Sequence, residues 1–230
     1  MRVAAGSKRR IGAVAFVALM MLSFGIRAYK DLSRPEAWDY WKDQYVSPSL
    51  TALAIRVDFD AADRRRTLSI SGRIGPAAAS WFRDRLEEAH LVAGDAILLS
   101  SPGGDLDQAT IIGEIIRSRG LATAVGVADA SGRVRPSYCA SACVFIYAGG
   151  TTRFGVEGSA LGVHRFVTTA PVRDPVADTQ QVAGAILSYM TRMGISSAIV
   201  TAMSQTKEVR WLDPQEAAAM NLITDPIGRP

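Results

Sequence analysis

Residues 95–120 read DAILLSSPGGDLDQATIIGEIIRSRG. The first seven residues form a short apolar run ending in two serines, the pattern of a buried strand. PGG breaks it. The segment that follows has acids in its first turn, basic residues in its last and a glycine at its end, which suits the dipole and C-terminal geometry of a helix. Strand, glycine turn and helix therefore follow one another within 26 residues. Upstream, RTLSISGRI (66–74) alternates as a strand, and PAAASWFRDRLEEAH (76–90) carries a helical pattern opened by Pro76. Downstream, LATAVGVAD (121–129), TTRFGV (151–156) and ALGVHRF (160–166) read as extended. SACVFIYAGG (141–150), residues 179–194, 196–205 and 214–222 read as helices. Strands that alternate with helices predict parallel pairing and an α/β domain.

The chain has 230 residues, enough for one sizeable core. Its formal charge is +4, and part of the surplus sits at the extreme N-terminus. The other basic residues are scattered, so there is no nucleic-acid footprint. MRVAAGSKRR is a positive leader, and IGAVAFVALMMLSFGI behind it is uninterruptedly apolar. This pattern predicts a signal-anchor or transmembrane helix over residues 1–30, with its N-terminus in the cytoplasm and the remainder across the membrane. The alternative is a cleaved signal, for which IRA before Tyr29 is a poor cleavage site. Residues 31–54, rich in Trp and Tyr, read as a juxtamembrane linker, and 55–230 as the folded domain. The expected place is a bacterial inner membrane, crossed once, with the domain in the periplasm, or else secretion after cleavage.

SYCASACVFIYAGG (137–150) holds both cysteines of the chain, on either side of Ser141. A serine hydroxyl needs a base to take its proton and N–H donors for the oxyanion that forms. Ser141 is expected to begin an apolar helix, and PGG lies at the C-terminal end of a strand, the side on which parallel sheets bind ligands. His164 falls in an extended segment, while His90, the other histidine, reads as a solvent-facing helix end. Each piece has an ordinary reading as well: an N-cap, a turn, a structural imidazole. Cys139 and Cys143 are four apart, close enough for a disulfide if Cys139 lies just outside the helix. Such a bridge would clamp the turn; the alternative is two small buried thiols. Two cysteines without a clustered histidine or acid argue against zinc.

In order, LLSSPGGDLDQATIIGEIIR, CASACVFIYAGG, ALGVHRF and VRWLDPQEAAAMNLI resemble the ClpP-type serine peptidases of the ClpP/crotonase fold, over residues 66–224. The nearest resemblance is to exported, membrane-tethered ClpP-like proteins of proteobacteria. It implies an α/β superhelix of repeated ββα units behind the N-terminal helix. It also implies Ser141 as nucleophile, His164 as general base, and the N–H groups of Gly104 and Ala142 as oxyanion donors. The family's aspartate position holds Val209, so Glu208 next to it is the candidate orienting acid, with Asp213 less well placed. The alternative for Glu208 is a surface loop acid. Lys207 is the candidate base of a Ser–Lys variant. A longer segment before Ser141, with Arg133, Arg135 and Pro136, is expected to reshape or cover the substrate groove.

The function implied is a membrane-anchored, periplasm-facing serine hydrolase, a peptidase working through an acyl-enzyme on a peptide or protein substrate, with no cofactor. The resemblance also suggests a homo-oligomer. The alternative is a non-catalytic ClpP-like protein that binds peptides or serves as a scaffold, supported by Val209. A coenzyme A thioester enzyme is a weaker third reading, because an exported protein would not meet that cofactor.

Overall fold

A computed structural model of the chain describes residues 4–46, 49–60, 63–166 and 174–226. A long helix, α1 (Ala4–Leu32), comes first. Its stretch Gly12–Leu32 is 21 residues of apolar sequence, none of it buried in the protein. At about 1.5 Å per residue that length matches an apolar bilayer core of about 30 Å. A second helix, α2 (Pro35–Tyr45), presents Trp38, Tyr40 and Tyr45 to the exterior.

The domain is organised on a six-stranded sheet. Its strands are β1 (Leu50–Asp60), β2 (Asp63–Gly72), β3 (Ala96–Ser100), β4 (Ala122–Val125), β8 (Arg153–Gly155) and β11 (Asp225–Pro226), in that spatial order. From β2 to β11 every pairing is parallel; β1 joins β2 as an antiparallel hairpin. The helices α3 (Ala78–Ala89) and α4 (Leu106–Ser118) connect β2 to β3 and β3 to β4. Two short strands, β5 (Val127–Ala128) and β6 (Val134–Arg135), make a separate hairpin. A smaller sheet has the order β10 (Arg210–Leu212), β9 (Ala160–Val163), β7 (Tyr138–Ala140). Between β7 and β8 lies α5 (Cys143–Ala148); α6 (Pro175–Arg192), α7 (Ala198–Ser204) and α8 (Pro214–Ala219) follow β9.

The sheet's apolar strands are buried on both faces, as parallel sheets require. One face meets the helices through Leu99, Phe82, Ile112, Ile116 and the whole of α5. The other carries a smaller cluster of Val57, Leu98, Ala124 and Phe154, closed by Val134 of the β5–β6 hairpin. Two differences from the sequence reading have clear physical causes. The strand β1 begins at Leu50, inside the stretch read as linker, because it pairs residue by residue with β2 and Val57 plugs the smaller cluster. The longer segment before Ser141 folds as the β5–β6 hairpin and leans on β1: a Cβ on Gly132 would lie 2.5 Å from the Arg56 carbonyl oxygen. None of its residues lines the cavity that holds Ser141.

The short helix α5 is fixed from its C-terminal end. A helix leaves its last four carbonyls without intrahelical donors. Here Tyr189 Oη donates to Phe145 O (2.7 Å), Thr123 Oγ1 to Tyr147 O (2.7 Å), Arg117 to Ala148 O (3.1 Å) and Arg153 to Gly150 O (2.8 Å). Arg153, only 2% exposed, also donates to Leu222 O and Asn221 O beyond α8. A buried cation is thus held by the negative ends of helices and by carbonyl dipoles instead of a carboxylate. Burial, and then Arg117, pull the Arg153 pKa down to about 10, so it stays charged at neutral pH. Burial raises the pKa values of Tyr147 and Tyr189, which keeps both phenols protonated as donors.

Candidate active site

Three segments converge at the C-terminal end of β3. The first is Pro102–Gly103–Gly104. Gly103 and Gly104 have φ of 99° and 144°, conformations that favour glycine. A Cβ on Gly104 would fall 2.0 Å from Ile74 O, and one on Gly103 would fall 2.7 Å from both Ala140 O and Ser141 Cβ. Ile74 is bridged to this turn by Ile74 N–Gly103 O and Asp105 N–Ile74 O bonds, both 2.9 Å. Asp105 then caps α4 by accepting from Gln108 N.

The second segment is the turn between β7 and α5. The sequence reading put Ser141 at the helix start, whereas it lies two residues before α5 with φ 57°. That left-handed conformation costs a non-glycine residue about 1–2 kcal/mol. It is held by Ser141 N donating to Gly162 O (2.9 Å), by Val144 N donating to Ser141 O (3.0 Å) and by Gly103 packed behind it. Cys139 and Cys143 form a disulfide across the turn, with Cα atoms 5.3 Å apart. The turn aims the Ser141 hydroxyl outward and leaves the Ala142 N–H at its base.

The third segment is the end of β9, which carries His164. Its Nε2 lies 2.7 Å from Ser141 Oγ and its Nδ1 lies 2.6 Å from Arg165 O. A carbonyl can only accept, so Nδ1 carries the proton and Nε2 of the neutral ring is the acceptor for the serine O–H. Arg165 is held in turn by its own N–H, which donates to Thr206 O (2.9 Å). Thr206 Oγ1 closes this loop by donating to Glu208 O.

The structure brings Ser141, His164, Gly104 and Ala142 to one cavity of about 340 Å³. Among the described residues, the N–H groups of Gly104 and Ala142 donate to no protein acceptor, whereas Gly103 N is taken by Ser101 Oγ (3.1 Å). The remaining wall is apolar: Leu106, Phe145, Phe166, Val182, Ile186 and Met203. Another cavity, about 350 Å³, lies between β8, β9 and α8. No histidine is among its lining residues, and its Ser159 hydroxyl donates to Val125 O.

Glu208 and Lys207 are not brought to this centre; both side chains are exposed on the loop before β10. Asp213 caps α8 by accepting from Gln215 N (2.8 Å). His90 ends α3 in a left-handed cap, and its carbonyl accepts from Arg66. The β9–β10 register ends at Arg210↔Val163, and Val209, one residue beyond it, is exposed with its Cγ1 lying over Gly162. The position where the resemblance expects an orienting acid is thus aliphatic, and the acceptor at His164 Nδ1 is Arg165 O. Sequence patterns could not single out this acceptor, because every residue has a carbonyl; the loop hydrogen bond to Thr206 selects it. Of the loop after His164, residues 167–173 lie outside the described residues, and α6 starts at Pro175, earlier than residue 179.

No protein-family model matches the chain, and no curated protein is similar to it at a significant level. Its fold does match solved structures. ClpP1 from Listeria monocytogenes superposes with a TM-score of 0.55 at 18% identity, covering 71% of this chain and 92% of that one. A mutant of the same protein gives 0.54 at 18% identity, over 71% and 91%. The domain behind the N-terminal helix therefore has the ClpP fold.

Proposed function

We propose that this chain is a serine hydrolase, a peptidase that works through an acyl-enzyme. The observation that carries the proposal is the 2.7 Å bond between Ser141 Oγ and His164 Nε2, made beside two unengaged main-chain N–H groups. The fold likeness to ClpP structures supports it.

In this mechanism Ser141 Oγ attacks the substrate carbonyl carbon and its proton passes to His164 Nε2. The oxyanion is received by Gly104 N–H and Ala142 N–H, each worth about 10²–10³ in rate. The imidazolium hands its proton to the leaving amine. Water, deprotonated by the same nitrogen, then hydrolyses the ester. The orienting acceptor is the Arg165 carbonyl, a neutral group that stabilises the imidazolium less than a carboxylate does, so turnover is slow for this chemistry. The apolar wall fits an aliphatic or aromatic side chain next to the scissile bond. Glu208, exposed as it stands, has at most an indirect role.

The N-terminal helix acts as the membrane anchor, with the domain on the periplasmic side. The support is the apolar run of Gly12–Leu32 behind four cations. Self-association is part of the proposal by likeness to the fold. The test is labelling of the full-length protein by a fluorophosphonate probe. Wild type should label, and Ser141→Ala and His164→Ala should fall to background with unchanged thermal unfolding. Equal labelling of all three would overturn the proposal.

A further inference from the structure

The disulfide spans residues 139–143, which include the proposed nucleophile and one proposed oxyanion donor. Resting on the hydrolase reading, we infer that Cys139 and Cys143 are positioning residues whose oxidation makes the site competent. The enzyme is off as the dithiol and on as the disulfide.

Three observations lead there. First, a bridge across four positions restricts the unfolded chain less than any longer one, so its placement contributes little to global stability. Its effect is local. Second, the two ends are anchored in different elements. Cys139 belongs to β7, paired with Leu161 of β9 and bridged to Ser101 at the end of β3. Cys143 is the first residue of α5, whose carbonyls accept from three side-chain donors, with a fourth on Gly150 just past the helix. The bond therefore joins β7, which is bridged to the start of the Ser101–Gly104 turn, to the helix behind Ala142. Third, the turn it closes is in an unfavoured state, with Ser141 at φ 57°. Ser141 N is bonded to Gly162 O, but the Ala142 N–H has no acceptor among the described residues. With the sulfurs separated, Ser141 can relax towards an ordinary right-handed conformation. That rotates its hydroxyl away from His164 and turns Ala142 N–H away from the cavity.

The switch balances as thiol–disulfide exchange. The two thiols give up two protons and two electrons to a disulfide donor, which leaves as a dithiol; a dithiol reductant reverses the step. Both cysteines are fully buried, so exchange follows local opening of the turn. A chain not yet exported would carry the open turn, and an oxidising compartment would close it.

The test uses the full-length protein in detergent, oxidised or treated with dithiothreitol, with thiols counted by maleimide mass shift. Three readouts are taken: the fluorophosphonate labelling rate, kcat and KM on a small ester, and ¹⁵N spectra of the two histidines, with His90 as internal reference. Reduction should slow labelling at least tenfold. It should lower kcat with KM little changed and shift the His164 Nε2 signal while His90 stays put, and a disulfide donor should restore all three. Cys139→Ala/Cys143→Ala should match the reduced protein and ignore both reagents. An unchanged His164 signal on reduction, or equal labelling of oxidised and reduced protein, would overturn the inference. Absence of labelling in the oxidised protein, with the His164 signal still sensitive to reduction, would instead remove the hydrolase reading and leave the positioning role standing.

Discussion

Gly103→Ala is a small change aimed at a single turn. The added methyl would lie 2.7 Å from Ala140 O, 2.7 Å from Ser141 Cβ and 3.0 Å from Ala142 N. All three atoms belong to the nucleophile turn, and two of them are backbone, so no flexible side chain can swing aside. Overpacking of this kind costs about 1–3 kcal/mol. Holding an alanine at φ 99° adds about 1–2 kcal/mol. The protein should lose about 2–5 kcal/mol of stability, roughly 5–15 °C in Tm for a domain of this size. The larger effect is on the site. If the turn yields by a fraction of an ångström to about 1 Å, attack geometry suffers and the rate falls about 100-fold. The assay is the second-order rate of fluorophosphonate labelling below the melting temperature, with urea unfolding in parallel. A Gly103→Ala protein that labels within twofold of wild type and unfolds at the same urea concentration would refute the packing of the PGG turn against Ser141.

Other perturbations have equally definite outcomes. Val209→Asp places a carboxylate one residue beyond the pair Arg210↔Val163, at the position where the family resemblance expects the acid, and should raise kcat/KM at least tenfold on a peptide ester; Val209→Asn should give less, and no gain from aspartate would mean that this position does not reach the ring. Glu208→Gln should leave kcat/KM within twofold, because that side chain is exposed and both ring nitrogens of His164 are engaged by other groups; a tenfold loss would make it the orienting acid. Arg153→Met strips donors from the carbonyls of Gly150, Leu222 and Asn221 and should cost at least about 3 kcal/mol in urea unfolding. A loss below about 1 kcal/mol would mean that those carbonyls find other donors.

Much of this molecule can be read from one-dimensional pattern, for reasons that are local. The strand–PGG–helix stretch declares itself because glycine, the cap at Asp105 and the apolar period of α4 all act within a few residues. Ser141 and His164 could be singled out for the same reason, as they stand at transitions between element types. What pattern cannot convey is conformation set by tertiary contact. Ser141 looks like a helix N-terminus, yet the pull of Gly162 O and the bond between Cys139 and Cys143 place it in a left-handed turn ahead of the helix. Residues 50–54 look like the end of a linker, yet antiparallel partners from Gly72 (opposite Leu50) to Leu68 (opposite Ala54) recruit them into the sheet. The acceptor for His164 Nδ1 is a main-chain atom, and no residue type marks it.

Covalent capture tests the central claim most directly. The oxidised full-length protein is treated with a small fluorophosphonate and analysed by intact mass, followed by peptide mapping. A single phosphonyl adduct on Ser141, lost in His164→Ala, is the expected result. An adduct elsewhere, or one on Ser141 that forms as fast without the imidazole, would contradict the account.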